Sequence, residues 1–184
     1  MLLELSRNCD HVGNALDALD SLLRQLLPAN DGDVERVARM DSSRRTDLKN
    51  EVFRTLHSIL AHTALSSKIL WPREKRAERG AHLRALLGIN SDSALSDRRL
   101  RNHRELVDER IESWALDDPG TNLVFDFLGV EDAIKDWSTS GHFRWYDPYS
   151  KLYVFRGERF DLDALLAAMR EVCAALRAQN SGAE

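Results

Sequence analysis

Leu2, Leu5, Cys9, Val12, Leu16, Leu19, Leu23 and Leu26 recur in alternating steps of three and four. No other pattern in the chain constrains the fold as strongly. A seam of this kind repeats every 3.5 residues, follows one side of an α-helix and must be covered by another element. It therefore predicts a long first helix over about residues 2–27, packed in a bundle or against a second copy of the chain. Pro28 and the stretch NDGD supply the break that ends it.

The rest of the chain also reads as mainly helical. Leu48, Val52, Leu56, Ile59 and Leu60 give a buried face to a second long helix over about 45–70, and the position before Pro72 stops it. A shorter helix over 74–87 ends at Gly88, a natural carboxyl-terminal cap. NSDSALSD then starts a helix over about 94–115, and residues 131–137 are a short helical candidate. HFRWYDPYSKLYVFRG alternates aromatic and β-branched residues around Asp147-Pro148-Tyr149-Ser150, which predicts a β-hairpin inserted at about 140–157. The last helix, over 162–178, buries Leu162, Leu165, Leu166, Met169, Val172, Cys173 and Leu176, with Asp161 as its cap. The expected class is mainly α, one domain over residues 1–184.

Bulk properties narrow the function classes. With 43% apolar and 30% charged residues, the composition is that of an ordinary globular domain. A net charge of −4 argues against a strongly basic nucleic-acid coat but leaves room for a local basic patch. No run reaches the ~18 apolar residues that a membrane span requires. Glu4 interrupts the apolar start, so MLLELSRNCDHVG does not read as a signal peptide. The two cysteines, Cys9 and Cys173, both fall among apolar residues at helical spacing. They are expected to be buried free thiols in a reducing cytoplasm.

LRNHRELVDERIESW, residues 100–114, concentrates the polar chemistry. At about 100° per residue, Leu100, Val107, Ile111 and Trp114 share a core stripe, and Arg98, Asn102, Glu105 and Glu109 lie opposite. His103 borders the core stripe. Leu106 lies just past that edge toward the polar side. A solvated helix face laced with pairs such as Arg101–Glu105 and Arg104–Asp108 explains the composition without any function.

The same stretch resembles the motif helix of the HEPN superfamily. It is similar to bacterial members with the pattern R-N-H-x-x-H-x-D-x-R, which Arg101, Asn102, His103, Asp108 and Arg110 match. HTALSSKILWP (62–72), RGAHLRALLGI (79–89) and RFDLDALL after the hairpin also resemble segments of those proteins, so the likeness runs through most of the chain from about residue 45. The resemblance implies a HEPN-like helical bundle with a small β-hairpin before the C-terminal helix, often dimeric. In active members, the Arg and His of two facing motif helices cleave RNA without metal, and many members serve in toxin–antitoxin or phage-defence systems. That division of labour suits the chemistry: His can take the proton of a 2′-hydroxyl near neutral pH, and Arg can hold the charged phosphorane with a planar fork. This chain departs from the pattern at one position. Leu106 stands where the family has its His, and leucine carries no proton.

Arg101, Asn102 and His103 are therefore the candidate catalytic residues, although His103 at the core edge suits a structural role. Arg98, Lys75, Arg76 and Arg79 are the candidate nucleic-acid contacts, with Arg73, Arg84 and Trp71 beside them in WPREKRAERGAHLR. No metal or cofactor is expected. His57 and His62 are five apart and do not share a face, Ser66-Ser67-Lys68 lacks a nucleophile scaffold, and neither a P-loop nor a dinucleotide glycine pattern occurs. The expected function is RNA or nucleotide binding, as a metal-independent ribonuclease or an inactive descendant of one. The expected partners are a second copy of the chain, an RNA or nucleotide ligand and an antitoxin-type protein. The alternative is a non-catalytic dimeric interaction module.

Overall fold

The computed structural model describes residues 1–28, 31–99, 102, 107–117, 124–130 and 142–181. The elements are α1 (Leu2–Leu26), α2 (Asp31–Ala38), α3 (Ser42–Leu70), α4 (Ala77–Leu87), α5 (Val107–Asp117), β1 (Val124–Leu128), β2 (His142–Asp147), β3 (Leu152–Phe155), β4 (Glu158–Asp161) and α6 (Leu162–Ser181). Single 3-10 turns occupy Glu74–Arg76 and Ala94–Ser96. The described chain is thus mainly helical with a small sheet.

The α1 seam is covered from within the molecule from Leu5 onward, while Leu2 is exposed. Leu5, Val12, Leu19 and Leu26 are buried in one cluster with Val52, Leu56 and Ile59 of α3 and with Met169 and Val172 of α6. Asp41 starts α3 by accepting hydrogen bonds from the backbone N–H of Ser43 (2.9 Å) and Arg44 (3.3 Å). The short α2 has no counterpart among the helices expected from sequence. From it, Arg36 reaches back to the carbonyl oxygens of Gln25 (2.8 Å) and Arg24 (3.1 Å) and satisfies two acceptors at the end of α1.

Cys9 and Cys173 are not free thiols. They form a disulfide that ties α1 to α6, with their Cα atoms 5.7 Å apart. Spacing does not reveal it, because 164 residues separate the two positions.

The expected hairpin is present as β2 and β3, but it belongs to a four-stranded sheet of order β1-β2-β3-β4. β1 runs parallel to β2, with Asp126 opposite Arg144; the other pairs are antiparallel. Asp147 builds the β2–β3 turn through its carboxylate, which accepts from Tyr149 N, Ser150 N and Ser150 Oγ. The β3–β4 turn places Arg156 (φ 48°) and Gly157 (φ 79°) in positive φ, as a two-residue hairpin loop of the primed kind requires. Phe143, Tyr146, Tyr153, Phe155 and Phe160 carry the sheet into the same core as the helices.

The single helix expected over 94–115 is interrupted. After the turn Ala94–Ser96, Asp97 is extended (φ −66°, ψ 119°) and helix resumes at Arg99. The candidate helix at 131–137 lies outside the described residues.

Candidate functional site

The approach to Arg98, Arg99 and Asn102 is built from turn chemistry. Gly88 ends α4 in the left-handed conformation (φ 63°). Ser93 then opens the 3-10 turn that carries Leu95 into the core, where Ser67 Oγ donates to the Leu95 carbonyl oxygen at 2.6 Å. Ser66 Oγ likewise donates to the His62 carbonyl at 3.0 Å. The neighbouring hydroxyls of Ser66-Ser67-Lys68 are therefore structural donors.

Asp97 caps the helical step that begins at Arg99. Its Oδ1 accepts the Arg99 backbone N–H at 2.9 Å, and its carboxylate holds the Arg99 guanidinium, with Nη2 2.6 Å from Oδ2 and Nε 3.0 Å from the same oxygen. The hydrogen bonds from Arg99 keep the Asp97 carboxyl below the usual carboxylate range. Asp97 is thus an anchor for Arg99 and not a proton donor at neutral pH. The anchored guanidinium lies over the Phe160 ring, 5.5 Å from its centroid.

A cleft of about 300 Å³ opens at this point, with Ala94, Asp97 and Arg99 on one side and Arg159, Phe160 and Asp161 on the other. That volume is at the small end of ligand sites. Through Asp97 and Leu165 it adjoins a narrower pocket of about 20 Å³ walled by α3 residues Leu60, Thr63, Ala64 and Ser67, large enough for one water. Asp161 is committed to the fold, accepting the Ala164 backbone N–H at 3.1 Å as the cap of α6.

Arg98 does not line the cleft. Its Nη2 donates to the Pro72 carbonyl oxygen at 3.3 Å. This joins Arg98, one of the sequence-predicted cations, to the segment after α3 that carries Lys75, Arg76 and Arg79. Lys75 and Arg76 are exposed on the 3-10 turn. Arg79 is half-buried, and its Nε is buried without a hydrogen-bond partner. Arg84 does not share their solvent face. Its guanidinium packs over Trp71, 5.1 Å from the ring centroid, and donates to the Leu70 carbonyl, so the outer role expected of Arg84 is taken up by packing. Trp71 is half-buried and packs against the core.

Asn102 is exposed, and its backbone N–H donates to the Arg98 carbonyl at 2.9 Å, an ordinary helical step. Arg101, His103 and Leu106 lie outside the described residues. Farther along, Ile111 is 37% exposed and Leu116 71% exposed. The helical wheel puts Ile111 in the core stripe, and its exposure corrects that reading: among the described residues of α5, the flank bearing Ile111 is left open.

Two polar constellations have no sequence signal. Asp126 and Arg144 face each other across β1 and β2, with Nε 2.7 Å from Oδ1 and Nη2 3.0 Å from Oδ2. In α1, Asn8 is buried and its Oδ1 lies 3.0 Å from His62 Nδ1, while His11 stacks on the His62 ring at 4.3 Å. No protein-family model, curated protein or solved structure matches the chain.

Proposed function

We propose that this chain is a HEPN-like helical protein that binds RNA or a nucleotide-bearing ligand on the surface shared by the motif helix and the 72–79 segment. The observation that carries this reading is the Arg98–Pro72 hydrogen bond. It ties Arg98 to the chain segment that carries the exposed cations Lys75 and Arg76, and a phosphate backbone bound along that segment would engage all three. The cleft lined by Arg99 and Arg159 offers a separate recess of about 300 Å³.

Arg101, Asn102 and His103 would act as the reactive end of that surface in a metal-independent ribonuclease. Leu106 supports binding without cleavage, as in an inactive descendant of such an enzyme. The cytoplasm is where an RNA ligand of this kind is met, but the Cys9–Cys173 disulfide removes the free-thiol ground for that compartment. An antitoxin-type protein and a second copy of the chain are the partners of this reading. The open apolar residues Ile111 and Leu116 of α5 favour a second reading, a dimeric helical interaction module without a nucleic-acid ligand.

Fluorescence anisotropy with a single-stranded RNA pool, with chelator present, separates the two readings. Binding should weaken on Arg98→Ala and on the double change Lys75→Ala, Arg76→Ala. The slope of log K against log salt should fall by about 0.7 for each phosphate that the protein no longer neutralises. Absence of binding at low salt, or binding indifferent to these changes, would favour the interaction module.

A further inference from the structure

We propose that the Cys9–Cys173 disulfide is an exchangeable latch. Closed, it ties the Cys9 turn of α1 to α6; a dithiol reductant opens it and loosens that turn, between Leu5 and Val12, while the remainder of the fold stands.

α1 is held in the core on both sides of its middle, by Leu5 and Val12 and by Leu19 and Leu26, and the two hydrogen bonds from Arg36 add to the carboxyl-terminal end. The turn that carries Cys9 is different. Asn8, only 1% exposed, faces α3 where an apolar side chain would be expected, and its Nδ2 is buried with no hydrogen-bond partner. Its Oδ1 meets His62, and His11 covers the same ring. A buried amide left unsatisfied favours the opened state, where water can reach it. At the level of residues 8–11 the helix is therefore held by a polar contact on the α3 side and by a covalent bond on the α6 side. Cys9 and Cys173 are both half-buried, so an attacking thiolate can approach without global unfolding.

In the exchange, a thiolate of the dithiol reductant attacks one cystine sulfur, the S–S bond breaks, and the other cysteine leaves as a thiolate. The second thiol of the reductant then attacks the mixed disulfide, closing its own disulfide and releasing the remaining cysteine. Two electrons pass to the protein. The two protons that the reductant gives up return through solvent to Cys9 and Cys173, which end as thiols.

The test is native-state reduction of the purified full chain by a thioredoxin-type dithiol protein, followed by thiol alkylation and amide hydrogen exchange. Both cysteines should become alkylatable without denaturant. Amides in residues 6–13 should then exchange faster by about tenfold or more, a lower bound set by the usual stabilisation from a disulfide. Amides in residues 19–26 should keep their protection. Cys173→Ser should show the fast exchange with no reductant and should not respond to it. If that variant does not fold, reduced and alkylated wild-type protein serves in its place. A bond that yields only after denaturation, or equal exchange in 6–13 before and after reduction, would overturn the latch.

Discussion

Asp126 and Arg144 stand opposite each other on parallel strands, and their side chains are only 17% and 18% exposed. Phe125 and Phe53 pack near the guanidinium, at 4.7 and 5.9 Å from its carbon, and Lys49 Nζ reaches the Asp126 carbonyl oxygen at 3.5 Å. Burial nevertheless outweighs the attraction of Arg144 and raises the Asp126 carboxyl above its ordinary range. The folded state thus holds its proton to higher pH than the unfolded state does. The associated stability is present in full below the unfolded value and is lost as pH rises through the raised folded one. In urea unfolding from pH 3.5 to 6, the difference between wild type and Asp126→Asn should shift against wild type as pH rises. A difference that moves the other way would mean that the ion pair, not burial, governs this carboxyl.

Gly80 allows α4 to cross close to the end of α3. A Cβ there would sit 2.6 Å from the Leu70 carbonyl oxygen and closer still to the ring of Pro72. Gly80→Ala should therefore destabilise, although alanine is the better helix former, by about 1–3 kcal/mol as in other overpacked sites. Thermal unfolding should show a fall of about 2–10 °C. Since Pro72 also receives Arg98, the same change should weaken RNA binding if that surface holds RNA.

Asp161 caps α6 at the junction with the sheet, through Ala164 N. Asp161→Ala should lower stability by about 1 kcal/mol, and Asp161→Asn should recover most of it. Chemical denaturation of the three proteins checks this. Equal losses in both variants would assign the effect to charge in the cleft.

Light scattering at micromolar concentration should return about twice the 21.0 kDa chain mass, and Ile111→Lys on the open flank of α5 should restore the monomer. A monomer across a hundredfold dilution series would remove any composite site made by two motif helices.

Leu106→His should introduce a titratable base into the motif. With metal chelated, cleavage of a single-stranded RNA pool should be weak or absent in wild type. It should rise in Leu106→His, within the ~10²–10⁴-fold that general-base catalysis contributes, and disappear again when Arg101→Ala is added. Strong wild-type cleavage that survives Arg101→Ala would place the chemistry elsewhere.

The helices α1, α3, α4 and α6 are legible in the sequence because each one repeats an apolar face over several turns or is bounded by a recognisable cap or break, such as Pro72, Gly88 or Asp161; the Asp41 cap that starts α3 at Ser42 is not. The strands at the two sides of the sheet are not. VFDFL is a five-residue, mostly apolar run whose parallel partner begins at His142, and ERFD carries three charges and a single buried side chain. Their pairing is decided by tertiary register, which a local window does not contain. The break at Asp97 escapes a sequence reading because NSDSALSD offers several starts in succession, and the Asp97 carboxylate, by taking the Arg99 N–H, selects the later one. Of the candidate site, the residue types are readable and the neighbours are not: nothing in the spacing of Pro72 and Arg98 announces their contact.

The bond between α1 and α6 also changes the topology of the molecule. While it is closed, residues 9 to 173 form a covalent ring, and the chain on either side of the ring lies outside it. A protease that cuts one loop inside the ring leaves a single molecule of full size on a non-reducing gel, and two fragments appear only when thiol is added. Tension applied between the two tails runs from Cys9 to Cys173 through sulfur and bypasses the core. In the oxidised state, pulling on the ends would therefore extend the tails without unravelling the ring.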